Sequence, residues 1–215
     1  MSRLTNLWVS RKEIGTYLTY PVTTGKVMLY GSSFFTRWGY ESARQQLSDA
    51  TDGKLDIINH GFGGATVDEL LYHYPRLVAP YKPSAVVIRS GYNDIYQKLT
   101  PEESIFLLRR LISWFQTDNP DIRIFLLNVF DTKRMTDEKH ELFVRYNQLM
   151  AELAAETENV ETFDINAFFY ENPEDIGDRS KLRDVFVEDG LHMTEEAYLE
   201  FANYFGPRLL AAINK

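Results

Sequence analysis

Five short apolar runs, each followed by a stretch with helical spacing or turn residues, constrain this chain more than any other feature. Lys26–Tyr30, Leu55–Asn59, Ala85–Ile88, Ile122–Leu127 and Val160–Ile165 read as strands. Helical segments fall between or after them. Glu41–Ala50 is the first. Thr66–Leu77 places Val67, Leu70, Leu71 and Tyr74 on one stripe, and Pro101–Gln116 does the same with Ile105, Leu108, Ile112 and Phe115. Asp137–Glu156 aligns Leu142, Tyr146, Leu149, Met150 and Leu153, and a last helix follows Met193 with Thr194 as its cap. Alternation of this kind predicts an α/β fold: a parallel sheet with helices on both faces. The first and third runs are apolar without interruption, as burial from both sides requires. No repeat or linker divides the chain, so residues 1–215 read as one domain with residues 1–25 as an extension before the first strand. That extension holds a β-prone stretch, Thr16–Pro21. Pro207 is expected to break or kink the last helix near Tyr204, because it lacks a backbone donor. Residues 166–188, with Asn172-Pro173 and Gly177, read as a long irregular connection of the kind that carries function.

Bulk properties narrow the function. A formal net charge of −8 over 215 residues argues against nucleic-acid binding as a main task. It leaves an anionic small substrate open, because one pocket can differ from the whole surface. The chain has no cysteine, so disulfides, thiol chemistry and cysteine zinc sites are out. No apolar run is long enough for a signal-peptide core or a membrane span, which points to a cytoplasmic protein without stable membrane insertion. Residues 1–25 can pack on their own chain or on a second copy, so a homo-oligomer stays open.

Three short words carry chemistry: Tyr30-Gly31-Ser32-Ser33, Ser90-Gly91-Tyr92-Asn93-Asp94 and Asp189-Gly190-Leu191-His192. In an open parallel sheet, ligands gather beyond the carboxyl ends of the strands. Ser33, Asn93 and the Gly61-Phe62-Gly63-Gly64 segment each follow a predicted strand, so one sheet edge can hold them all. A serine hydroxyl needs a base within hydrogen-bond reach to act as a nucleophile. His192 is the best placed of four histidines, since Asp189 lies three positions before it and can orient its ring. His60, His73 and His140 read as structural, His60 ending a strand and the others on helix surfaces or ends, with no metal-ligand spacing among them. The Ser33 and Gly64 backbone N–H groups and the Asn93 amide are candidate donors for an oxyanion. Taken singly, each word has a plainer meaning. Ser33 suits a turn or helix cap, Asp189-Gly190 a tight turn, and Asn93-Asp94 a turn after a strand. The glycine segment does not match a dinucleotide or phosphate loop.

In this order the words resemble the SGNH hydrolase superfamily, the GDSL-type esterases and lipases. Gly31-Ser32-Ser33 is similar to its first block, with Ser32 where the commoner form has aspartate; Ser32 is therefore a second possible nucleophile, and block position favours Ser33. Asn59–Thr66 is similar to the second block, with Gly64 as its oxyanion glycine. Gly91-Tyr92-Asn93-Asp94 is similar to the third, and Asp189-Gly190-Leu191-His192 to the fifth. The resemblance spans residues 26 to about 205. It implies a flavodoxin-like three-layer α/β/α sandwich with a parallel sheet of about five strands. It also implies metal-free, cofactor-free ester hydrolysis through an acyl-enzyme, with Ser33, His192 and Asp189 as catalytic residues and Ser33, Gly64 and Asn93 as the oxyanion hole. The expected substrate is a small-molecule ester with a short acyl group, such as an acetyl ester of a carbohydrate. A lysophospholipase or thioesterase, or an idle binding protein on the same fold, are the alternatives.

Overall fold

The computed structural model describes residues 12–215; residues 1–11, which belong to the extension, lie outside the described residues. In chain order the main elements are α1 (Lys12–Tyr17), β1 (Val27–Gly31), α2 (Ser33–Trp38), α3 (Tyr40–Asp49), β2 (Ile57–Gly61), α4 (Val67–Leu77) and β3 (Ala85–Arg89). They continue with α5 (Tyr92–Tyr96), α6 (Pro101–Asp118), β4 (Arg123–Leu127), α7 (Asp137–Ala155), β5 (Val160–Phe163) and α8 (Glu195–Ile213).

The strands form one parallel sheet in the order β2-β1-β3-β4-β5, the doubly wound order of flavodoxin-like folds. Because successive strand residues point to opposite faces, each strand feeds two cores. Met28, Tyr30, Val86, Ile88, Ile124 and Leu126 pack on one face with α4, α6 and α7. Val27, Leu29, Ala85, Val87, Phe125 and Leu127 pack on the other with α2, α3 and α8. The result is a three-layer α/β/α sandwich. Near-continuous apolar strands are what such double burial demands. Among the described residues no helix is long and apolar enough to cross a membrane.

Strand order also locates the crevice. From β1 the chain turns to β2 on one side, while β3 lies on the other, so the switch point falls between the carboxyl ends of β1 and β3. Gly31 and Arg89, the last residues of those strands, are register partners there.

Several expectations need correction. The stretch Thr16–Pro21 forms no strand: the backbone is helical to Tyr17 and then turns, with Tyr17 buried against the domain. Burial of one tyrosine face overrides the local β propensity. The helix α2 starts directly after β1, ahead of Glu41–Ala50, where the first helix was expected, and Asn93-Asp94 lies inside the short helix α5 instead of a turn. Strand β2 begins and ends two residues later than the apolar run, so His60 is interior to it and wholly buried. His73 is likewise buried and does not lie on a helix surface. Pro207 does not end α8, which runs unbroken to Ile213. Proline removes only one donor, and Phe201, Phe205 and Leu209 on either side are fully buried in the core. Residues 166–188 are irregular but include three short 3₁₀ turns.

Candidate active site

Ser33 is the first residue of α2, immediately beyond β1, with Ser32 as the extended N-cap residue. A first-turn N–H has no partner within its own helix, so the Ser33 N–H is available to a ligand. The short helix is held from three sides. Asn59, buried in β2, donates its Nδ2 to the Phe35 and Gly39 carbonyls at 2.8 and 3.0 Å. Tyr198 of α8 donates to the Phe34 carbonyl at 2.7 Å. Gly61 sits so close that a Cβ there would lie 2.4 Å from the Phe35 Cβ, a contact no other residue type can make.

Asp189 and His192 arrive on a tight turn. Val187 N–H donates to the His192 carbonyl at 2.8 Å, Gly190 N–H to the Val187 carbonyl at 2.9 Å, and Phe186 bridges Met193. The Arg134 N–H reaches the Gly190 carbonyl at 3.1 Å and ties this turn to the β4–α7 loop. The turn returns to the β1 edge: His192 Nε2 lies 2.9 Å from Ser33 Oγ, and His192 Nδ1 lies 2.5 Å from Asp189 Oδ2. The imidazole therefore meets Ser33, and not Ser32. Asp189 Oδ1 accepts the Leu191 and His192 backbone N–H groups, each at 2.9 Å. Partial burial acts to raise the Asp189 carboxyl, but the imidazole and these two N–H groups outweigh it and hold the group down to about 2. An ionised acceptor at Nδ1 fixes the other nitrogen, Nε2, as the base facing the hydroxyl.

The third group of residues stands at the carboxyl ends of β2 and β3. Asn93 Nδ2 donates to the Ala65 carbonyl at 2.9 Å, which commits one of its two amide hydrogens to the glycine segment and leaves the other. Gly64 has φ +73°, a left-handed conformation that glycine adopts without penalty, and its N–H is unengaged among the described residues. No hydrogen bond joins Gly64 or Asn93 to Ser33; they share the sheet edge, beyond the carboxyl ends of β2 and β3. The extension takes part as well. Tyr17 donates to the Gly61 carbonyl at 2.6 Å, and the Gly63 N–H donates to Glu13 Oε1 at 3.4 Å.

Two residues at this edge escaped sequence reasoning. Asp94 accepts the Val67 N–H at 3.0 Å and the Gly91 N–H at 3.2 Å, pinning the start of α4 to α5. Burial raises its carboxyl to about 6 against the pull of both N–H groups. Its position at N3 of α5, with Gly91 at the cap, was the signal to find. The other is Arg89, which lines the crevice together with Ser33, Phe34, Tyr92, Phe130 and His192. A cation ending an otherwise apolar strand was visible in the sequence. This crevice is small, about 20 Å³.

A hydroxyl, an imidazole and a carboxylate bonded in series beside unengaged N–H groups can activate an alcohol nucleophile and stabilise an oxyanion. The family model described as GDSL-like lipase/acylhydrolase matches residues 29–199. Solved structures share the fold at low identity. A Streptococcus pneumoniae protein whose name ties it to platelet activating factor has a TM-score of 0.74 at 19% identity, covering 96% of each chain. An acetyl xylan esterase has a TM-score of 0.67 at 19% identity, over 87% of this chain and 98% of its own. A psychrotrophic esterase from a Pseudoalteromonas species, inhibited by monoethylphosphonate, has a TM-score of 0.66 at 17% identity, over 87% and 99%. No curated protein matches the chain by sequence.

Proposed function

The chain belongs to the GDSL-like lipase/acylhydrolase family, and from that premise we propose that it is a serine esterase acting on short-chain acyl esters through an acyl-enzyme. The observation that carries this reading is the unbroken contact series Asp189–His192–Ser33, at 2.5 and 2.9 Å.

In this mechanism Ser33 Oγ attacks the ester carbonyl while His192 Nε2 takes its proton, and Asp189 stabilises the imidazolium that forms. The oxyanion is received by the Ser33 and Gly64 backbone N–H groups and the remaining Asn93 amide hydrogen. His192 then protonates the departing alcohol. Water, deprotonated by the same nitrogen, releases the acid and restores the hydroxyl. Each oxyanion donor is worth about 10²–10³ in rate. The small crevice supports a short acyl group, since drug-sized ligand sites begin at about 300 Å³. The acetyl xylan esterase among the structural neighbours makes acetylated carbohydrates a reasonable first substrate class.

The test is turnover of p-nitrophenyl acetate by the wild type and by Ser33→Ala, with labelling by a fluorophosphonate probe. The variant is expected to lose about 10⁴-fold or more in kcat and to escape labelling. Equal turnover by the two proteins would remove Ser33 as nucleophile. Esters from C2 to C12 then test acyl length: the short-chain reading expects kcat/KM to fall with length, and a rise toward C12 would favour a lipase.

A further inference from the structure

Arg89 stands out at the switch point. It is the last residue of β3 and only 3% exposed, yet it lines the crevice that holds Ser33 Oγ and the His192 ring. A guanidinium carries five N–H donors in a planar fork. Here Nη1 donates to the Ser90 carbonyl at 3.0 Å, while Nε is buried with no partner. Among the described residues no carboxylate lies within ion-pair distance of it. The Asp189 carboxylate, the acid of the site, is already taken by the imidazole and two backbone N–H groups.

Its packing is aromatic. The guanidinium carbon stands 5.1 Å from the Phe130 ring centre and 6.0 Å from that of Phe34. These faces attract a cation and hold the fork in place, but they do not fill its hydrogen-bonding capacity. Burying a charge without an acid is unfavourable, and an apolar side chain of similar length would fill the same space without that penalty. An arrangement of this kind makes sense where a ligand completes it. The fork geometry matches carboxylate and phosphate oxygens. A second unpaired cation lies nearby: Arg134 is exposed, lies 5.9 Å from the Tyr96 ring centre, and has no ion-pair partner among the described residues. It is near enough to Tyr92, another crevice residue, to act on its hydroxyl. An unpaired buried cation with a second one nearby runs against the net charge of −8 of the whole chain.

We propose that Arg89 binds an anionic group of the substrate, so that the preferred ester carries a carboxylate or phosphate within a few bonds of the scissile carbonyl. This rests on the esterase reading above. The anion can sit on the acyl part or on the alcohol part, and paired probes distinguish them. Monoethyl succinate against ethyl 4-methylpentanoate tests the acyl side. 3-Acetoxypropanoate against isopentyl acetate tests the alcohol side. In each pair the neutral ester replaces the carboxylate by a branched group of like shape. The wild type is expected to prefer at least one anionic ester by about tenfold or more in kcat/KM, the scale of one charge-assisted hydrogen bond. Arg89→Met should abolish that preference, bringing the anionic-to-neutral ratio in each pair to within about threefold of one. Arg89→Lys, which keeps the charge but not the fork, should retain part of it. The wild-type ratio stands as a test even where Arg89→Met fails to fold. A ratio near one in both pairs, or a preference that survives Arg89→Met, overturns the inference while leaving the esterase reading intact. A wild type that cleaves none of the four esters and takes no fluorophosphonate label overturns both.

Discussion

Asp94 and Asp189 flank the same site with the same local pattern, and they titrate in opposite directions. Each carboxylate accepts two backbone N–H groups, from Val67 and Gly91 in one case and from Leu191 and His192 in the other. Asp94 is wholly buried, and burial raises it to about 6. Asp189 keeps 37% of its side chain exposed, has an imidazole at 2.5 Å, and is held at about 2 despite some burial. Two amide donors are therefore not enough to hold a carboxyl in its ordinary range when water is excluded. The difference separates two jobs. Asp94 pins the start of α4 to α5, and in the proposed mechanism Asp189 supplies fixed negative charge to a ring that must become positive.

Substitutions can break that contrast at graded depth. The largest effect is expected at the ring itself: His192→Ala should lower kcat by about 10⁴-fold or more, and adding Ser33→Ala should cost little further, because the pair acts as a unit. An additive double variant would mean the two do not work together. Asp189→Asn comes next. It keeps the shape of the turn but leaves the wrong ring tautomer facing Ser33, so kcat should fall by about 10²–10⁴-fold. Its thermal midpoint should stay within about 4 °C, since the carboxylate is largely solvated. A large loss of stability at unchanged kcat would reverse the roles assigned to the two aspartates. Gly64→Ala should have a smaller effect, about 10-fold to 10²-fold in kcat, through strain at a left-handed position that carries a proposed oxyanion donor.

The sheet was legible because double burial forces apolar runs, and apolar runs survive in any sequence that folds this way. The edge residues Ser33, Gly64 and Asn93 were legible for the same reason, since they stand just beyond such runs; Arg89, at the end of one, was passed over. The contact between His192 and Ser33 was named from the motif words and their resemblance, not from periodicity, for it closes across 159 positions through a turn whose direction depends on the Arg134–Gly190 bond and the Phe186–Met193 bridge. Pairings of that kind are set by tertiary packing and leave no periodic trace. Local signals failed where one buried side chain decides the outcome. Tyr17, β-prone by type, is helical because its ring stacks on His60 and its hydroxyl reaches Gly61. Pro207 stays inside α8 because the helix on both sides of it is core. Asp94 read as a turn residue, since sequence spacing shows a carboxylate near a cap but not whether water reaches it.

Stability against pH gives the smallest effect on activity and the sharpest separation of the two aspartates. The unfolded chain releases the Asp94 proton near 3.8 and the folded chain near 6, so between those values the folded state binds more protons. Stability from this group is then fully present below about pH 4 and falls as pH rises to about 6, by on the order of 3 kcal/mol. Asp189 runs the other way: its contribution is present above 3.8 and is lost as pH drops toward 2. Asp94→Asn removes the titration. It also turns an amide hydrogen toward one of the two N–H donors, so its absolute stability at pH 7 combines a relieved charge with a lost bond and has no clear sign. The slope is free of that ambiguity. Urea unfolding at pH 4.5, 5.5 and 7 should show wild-type stability falling relative to Asp94→Asn across this window, with kcat of the variant reduced by no more than about tenfold. Parallel curves would place the Asp94 charge in contact with water, and a buried carboxylate would no longer explain how α4 is pinned to α5.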